Sequence, residues 1–290
     1  MKRFLRRLYN RYVLEDWKIA IADYDSKLNV DNIKWLKHNY KDRWFADPFI
    51  VDETDTEYII LVEECMYENL KGRIARLTVT KDDCTLVRNE TILDLQTHLS
   101  FPNTITLGGG VFLYPENGKA GNTKYYEYGK TLKECGILSD LPFADAVIVK
   151  HDAYYYCLFT IGGCSSGNLL HVYRSQSPLE GYSPYQEIAF EDNIARRAGN
   201  VFWLDGRLIS PAQVCNNRYG EGISFQELTF HDGKMTLKEI KRSFPPTKKY
   251  PYGFHTFNVF NNKVAIDGYR YNKLLRNLYF KTAQFVSAKK

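Results

Sequence analysis

The 290-residue sequence lacks the features that define several common protein classes. No C-x-x-C pair occurs, and no His/Cys cluster has the spacing of a zinc site, so metal fingers and dithiol centres do not organise this chain. The six cysteines Cys65, Cys84, Cys135, Cys157, Cys164 and Cys215 are scattered. Cys65 and Cys157 lie inside apolar strand patterns, where buried free thiols are expected. There is no run of about 18 apolar residues and no secretory h-region, and the expectation is a cytoplasmic protein. No long Lys/Arg block stands out, and a formal charge of +5 does not demand a nucleic-acid partner. Low-complexity segments are absent as well, and Pro245-Pro246 falls in a connector rather than between domains.

Aromatic residues are plentiful. They make up 15% of the chain, with 22 tyrosines, and hydrophobic residues make up 44%. This composition supports a β-rich core, and the same rings suit sugar-stacking surfaces. Five times a polar opening leads into a strand, a Gly/Asp/Asn turn and an answering strand. The copies begin near Trp44-Phe45-Ala46-Asp47-Pro48, Leu99-Ser100-Phe101-Pro102, Pro142-Phe143-Ala144-Asp145, Arg197-Ala198-Gly199-Asn200 and Gly253-Phe254-His255-Thr256. They recur at intervals of roughly 40–60 residues, the period of propeller blades. The fold expected is therefore an all-β, five-bladed β-propeller over residues 17–290.

A basic segment, residues 1–16, precedes it. Leu5, Leu8, Tyr9 and Tyr12 follow i, i+3, i+4, i+7 spacing with arginines on the other face, which predicts a short amphipathic helix over 1–14. Such a helix either packs on the propeller or lies on anionic lipid, which would place the protein peripherally at the inner membrane face.

In a propeller the innermost strand of each blade starts at the central pocket, so polar residues at the repeated opening point to a ligand on the axis. Asp47 and Asp145 occupy the same phase in blades one and three. Paired carboxylates serve glycoside chemistry as acid with base or nucleophile. Glu63 and Glu64 end the answering strand of blade one, and a period of two lets only one of them face inward. Glu116 ends the matching strand of blade two. Candidate catalytic residues are thus Asp47, Asp145, Glu64 and Glu116. His98, Ser100, Arg197, Gln213, Arg218, His255 and Asp267 are candidate substrate-binding residues, with Trp44 and Tyr219 as stacking platforms. Ligand spacing argues for no metal, and no cofactor is expected.

These motifs also carry a resemblance. Trp44-Phe45-Ala46-Asp47-Pro48-Phe49, the Glu63-Glu64 strand end, Lys71-Gly72-Arg73-Ile74, Leu99-Ser100-Phe101-Pro102, Arg197-Ala198-Gly199-Asn200 with Pro211-Ala212-Gln213 and Arg218-Tyr219-Gly220, and Gly253-Phe254-His255-Thr256 with Ile266-Asp267-Gly268 form an ordered series. Over roughly residues 17–275 the chain resembles the N-terminal propeller domain of plant glucosamine inositolphosphorylceramide transferases and its stand-alone bacterial relatives. More distantly it is similar to the five-bladed glycosidase superfamily of β-fructofuranosidases, arabinanases and β-xylosidases. That similarity implies a base or nucleophile role for Asp47 and a carboxylate-orienting or pKa-tuning role for Asp145. It also implies a catalytic Glu at the start of blade four, where this chain has Arg197-Ala198-Gly199 instead.

The departure at blade four leaves Glu64 or Glu116 as the acid, its pKa raised by burial near other carboxylates. Arg197, Arg218 and His255 would hold an anionic group on the ligand. The leading expectation is a glycosidase-like or glycosyl-transferring enzyme acting on a surface polysaccharide or glycolipid. The alternative is a non-catalytic glycan-binding or scaffold domain that partners a glycosyltransferase. A protein-interaction propeller is a third class, which a wide apolar rim would mark.

Overall fold

The computed structural model describes residues 14–162 and 167–271. Within them, twenty strands build five four-stranded antiparallel sheets. The chain opens with β1 (Glu15–Tyr24) and β2 (Val30–Trp35). Blade one follows as β3 (Arg43–Glu53), β4 (Glu57–Met66), β5 (Gly72–Thr80) and β6 (Leu86–Leu93). Blade two is β7 (Ser100–Leu107), β8 (Gly110–Glu116), β9 (Thr123–Tyr128) and β10 (Lys133–Ser139). Blade three is β11 (Phe143–His151), β12 (Tyr154–Ile161), β13 (Leu169–Ser175) and β14 (Ser183–Ala189). Blade four is β15 (Phe202–Leu204), β16 (Arg207–Val214), β17 (Gly222–His231) and β18 (Lys234–Ser243).

The fifth blade has only two strands from its own stretch of sequence, β19 (Phe257–Phe260) and β20 (Lys263–Tyr271). The N-terminal strands complete it in the order β19-β20-β1-β2. β20 pairs with β1 from Glu15 opposite Tyr271 to Ala22 opposite Val264. This closes the ring, and the radial array leaves only short, protected sheet edges. Among the described residues no helix occurs. The helix expected over 1–14 lies outside the described residues except for Leu14, which is buried against Tyr67 and Trp44.

Burial follows position in the blade. The inner strands are covered on both faces by neighbouring blades, so β3 is buried from Phe45 to Ile50 and β4 from Ile60 to Cys65. Outer strands such as β2 and β6 have no fully buried residue. The apolar core sits between blades. Ile19, Leu36, Phe45, Ile60, Val62 and Leu77 join blade five to blade one. Ala198, Phe225, Phe254, Phe257 and Ile266 join blade four to blade five. Each large side chain buried this way contributes about 1.5–3 kcal/mol. Cys65 and Cys157 are buried free thiols within this packing, as expected, and burial raises both their pKa values.

One local device repeats. Blades one, two and three each carry a bulge at the start of the inner strand, between Ala46 and Phe49, Ser100 and Asn103, and Ala144 and Val147. The residues in these bulges, Asp47, Phe101 and Asp145, have φ of 49°, 45° and 51°. Left-handed backbone at a non-glycine residue is uncommon and, for a phenylalanine, a clear outlier. It persists because it re-aims the side chain and backbone N–H toward the axis, the usual role of a bulge beside a site. Pro48 and Pro102 fit here because a bulge spares them a ladder hydrogen bond.

Candidate functional site

The repeated bulges link blade to blade around the axis. The Asp47 N–H donates to Asp267 Oδ2 of blade five at 3.2 Å. The Phe101 N–H donates to Asp47 Oδ2 at 3.0 Å, and the Asp145 N–H to Glu116 Oε2 at 3.2 Å. In each case a left-handed residue gives its N–H to a carboxylate of the preceding blade. The acidic residues therefore hold the ring together at the position where a ligand would meet them.

Blade five forms the most tightly bonded part of the site. His255 and Thr256 donate their backbone N–H groups to Asp267 Oδ1, each at 3.0 Å. The Thr256 hydroxyl is 2.8 Å from Asp267 Oδ2 and 3.2 Å from Asp47 Oδ1. His255 Nδ1 lies 2.7 Å from Asp267 Oδ2, and its Nε2 lies 3.8 Å from Asp47 Oδ1. Burial works against a charge on His255, but Asp267, then Asp47 and Asp145, raise its pKa to about 9. Burial likewise opposes the Asp267 charge, yet His255 and the converging donors hold its pKa below the usual carboxylate range. Asp47, Asp267 and His255 converge closely enough to ligate a cation. Their ligand atoms are already engaged with one another and with backbone donors, so the arrangement reads as an internal ion pair.

On the opposite side, Asp145 and Glu116 meet an arginine. Arg196 Nε donates to Asp145 Oδ2 at 2.6 Å, and its Nη2 lies 3.4 Å from Glu116 Oε2. Gln213 Nε2 donates to the same Asp145 oxygen at 3.1 Å and to the Arg197 carbonyl at 3.0 Å. Burial and the adjacent Asp145 charge push the Glu116 pKa up, with Arg196 pulling the other way. Asp47 is pushed up to about 7 by burial, with His255 opposing and Glu63, Asp267 and Asp145 adding to the rise. The Asp47 charge adds to the rise at Glu116 as well.

The structure changes several assignments. Register places Glu63 opposite Ala46 as Glu116 is opposite Ser100, so Glu63 is the axial residue. Glu64, expected as a candidate acid, turns the other way. It is fully buried between Arg43 and Arg73, each at 2.7 Å, and accepts from Asn89, which together hold its pKa down. A carboxylate so committed does not deliver a proton.

Arg197, expected to grip an anion, is fully buried inside blade four. Its five side-chain hydrogen bonds go to the carbonyls of Ile194 and Ala195, Ser210 Oγ and Gln226 Oε1. Its neighbour Arg196 is the axial cation, and the sequence alone gave no signal to choose between adjacent arginines. Trp44 packs among Leu14, Tyr67, Trp17, Ala46 and Tyr269. The ring that faces the site is Trp17, stacked on His255 at 4.0 Å and 19°.

The remaining candidates lie at the axial end or its rim. His98 accepts from the Gly72 N–H on Nδ1 and places Nε2 3.1 Å from Glu63 Oε1. Burial opposes its charge, but Glu63, with Glu116 behind it, raises its pKa. A Cβ on Gly72 would meet Leu99 O at 2.4 Å, Glu63 Oε1 at 2.6 Å and His98 Cε1 at 2.8 Å, so only glycine fits there. Ser100 is buried at the mouth of blade two. Tyr219 is 46% exposed, edge-on to His255, with the Arg196 guanidinium 5.4 Å from its ring centre. Arg218 sits further out, 3.7 Å from Glu221 and over Tyr252.

Residues 31–263 match the family described as glucosamine inositolphosphorylceramide transferase 1, N-terminal. The chain belongs to this family. Among full-length relatives it is 26% identical over 214 residues to glucosamine inositolphosphorylceramide transferase 1 of Oryza sativa subsp. japonica, covering 70% of this chain and 28% of that protein. It is 25% identical over 195 residues to the protein of the same name from Arabidopsis thaliana, covering 64% and 25%. The chain thus spans about a quarter of the length of these relatives. Among solved structures, an exo-β-1,3-galactanase from Phanerochaete chrysosporium superposes with a TM-score of 0.56 at 13% identity, covering 76% of this chain and 58% of that one. An α-L-arabinofuranosidase from Podospora anserina gives 0.53 at 9% identity, covering 82% and 94%. At these identities the likeness concerns the fold, a five-bladed propeller.

Proposed function

We propose that the axial pocket acts on a carbohydrate, free or as a glycolipid headgroup, by general acid–base chemistry. The observation that carries this reading is that neighbouring blades bring Asp47 and Glu116, both with raised pKa, close enough for the Asp47 charge to act on Glu116. Glu116 keeps its proton to higher pH than a free glutamate and is the donor to a leaving oxygen. Asp47 titrates near neutrality and takes the proton of an attacking hydroxyl or water, or attacks the anomeric carbon itself. Asp145, held by Arg196 and Gln213, sets the charge beside Glu116. Tyr219, with Trp17 and His255 behind it, offers an aromatic wall for a sugar face. The plant relatives, named as glucosamine inositolphosphorylceramide transferases, and the structurally similar exo-β-1,3-galactanase support a carbohydrate ligand.

A second reading is a glycan-binding propeller that serves a separate glycosyltransferase. It is favoured by Arg196, which ties up both Asp145 and Glu116, and by the absence of a carboxylate at the blade-four opening. One experiment separates the two. Wild type, Asp47→Asn and Glu116→Gln are assayed for binding and turnover on a panel of glycosides, sugar phosphates and nucleotide sugars. Acid–base chemistry predicts turnover by wild type and a loss of at least ~100-fold in each variant with binding retained. Equal binding by all three with no turnover by any establishes the binding module.

A further inference from the structure

Apart from the axial site the molecule has a concavity where the chain passes from the outer strand of blade five to blade one. Its volume is about 1060 Å³, at the upper end of the range for small-molecule sites. β2, the crossing segment after it and the start of β6 line it, with Lys249 reaching in from the loop before β19. It shares no residue with the axial site.

Its charge is one-sided. Among the lining residues, Lys18, Lys34, Lys37, Arg88 and Lys249 stand against Asp82 and Asp83; just outside the lining, Glu90 lies 3.7 Å from Arg88 and Asp16 acts on Lys18. The formal excess of three positive charges is more than half of the chain's +5, gathered in one cleft. Local pairing does not cancel it. Lys37 takes Asp83 at 2.8 Å, and Asp82 caps the Asp83 N–H at 2.7 Å. Lys34 Nζ donates to the Lys81 carbonyl at 3.1 Å. Lys249 lies 5.7 Å from the Tyr250 ring centre.

Lys18 is the telling residue. It stands half-buried on β1 without an ion pair among the described residues. Burial lowers its pKa, Asp16 raises it, and Lys249 and Arg270 lower it further. A lysine placed among cations and partly stripped of water is a cost to the fold that a bound anion would relieve. Aromatic surface adjoins the charge. Trp35 lines the cleft, backed by Tyr250 at 4.2 Å, and Tyr40 lies beside it, 38% exposed. Ammonium groups suit phosphate, and aromatic faces suit a sugar ring.

We propose that this cleft between blades five and one is a second binding site, for a phosphate-bearing sugar, either soluble or presented as a lipid headgroup. It stands independently of the catalytic reading of the axial pocket. The full chain is titrated calorimetrically with glucose 6-phosphate, glucose and inorganic phosphate. It is also sedimented with phosphatidylcholine vesicles with and without phosphatidylglycerol. Glucose 6-phosphate is expected to bind more tightly than phosphate, and glucose not to bind. Lys18→Gln with Lys249→Gln should weaken the phosphosugar at least ~10-fold. Phosphosugar binding without sedimentation assigns a soluble ligand. Sedimentation on phosphatidylglycerol alone, lost in the double variant, assigns the headgroup. The proposal is overturned if wild type binds neither probe or if the double variant binds as wild type does. A thermal melt of the double variant matching wild type shows that lost binding is not lost folding.

Discussion

Replacing Asp267 by asparagine tests the electrostatic account of the axial site most directly. Asp267 is fully buried and accepts from three backbone N–H groups, the Thr256 hydroxyl and His255. Asparagine keeps the shape but removes the charge and turns one acceptor into a donor. Either orientation then points an N–H₂ at existing donors. It also strands His255, which stacks under Trp17 with no access to bulk water. Breaking a buried pair from one side costs about 3–5 kcal/mol. Linkage gives a consistent figure. His255 titrates at about 9 against an ordinary value of 6.5, a net shift that burial opposes and that Asp267 leads, with Asp47 and Asp145 adding to it, and it corresponds to about 3 kcal/mol.

The pH dependence follows from the sign of that shift. A raised histidine pKa contributes stability that is fully present below 6.5 and lost as pH rises through about 9. The gap between wild type and Asp267→Asn should therefore be about 3 kcal/mol at pH 6 and shrink by pH 10. Urea unfolding at both pH values measures it, and an NMR titration of His255 should show its pKa falling in the variant, since its largest raising partner is gone. A loss under about 1 kcal/mol at pH 6, with His255 still titrating near its wild-type value, would refute the reasoning.

Two further substitutions probe what the structure reassigned. Arg197→Lys should destabilise the protein by about 3 kcal/mol, because one ammonium cannot serve acceptors arranged for a guanidinium fork. Ligand affinity measured well below the melting temperature should be unchanged, and a selective loss of affinity would return Arg197 to the site. Gly72→Ala should cost about 1–3 kcal/mol in a thermal melt through its clash with Leu99, Glu63 and His98. It should also shift the His98 NMR signals, and an unperturbed His98 would contradict the packing described.

The sequence carried the repeat plainly. Each blade opening is a local pattern of polar residue, strand and turn, and local patterns survive without tertiary information. The phase argument likewise found Asp47, Asp145, Glu116, Gln213, His255 and Asp267, which the fold does bring to the axis. It failed where a choice depended on which way a side chain points. Glu63 and Glu64, or Arg196 and Arg197, are adjacent residues of the same kind, and an irregular strand start shifts the alternation that would distinguish them. Trp17 was out of reach for another reason. It belongs to β1, and its contact with His255 exists only because the N-terminal strands cross the ring to close blade five.

What the sequence by itself determined is therefore the number of blades, the all-β class and the acidic residues placed at a common phase, since all three are written in short-range periodicity. Tertiary structure alone decided which glutamate and which arginine face the axis. It also decided that His255 is paired with Asp267 and stacked on Trp17, and that the lysines of β1, β2 and the loop before β19 meet in one cleft. These depend on long-range pairing and on bulges that turn individual side chains, and no spacing along the chain encodes either.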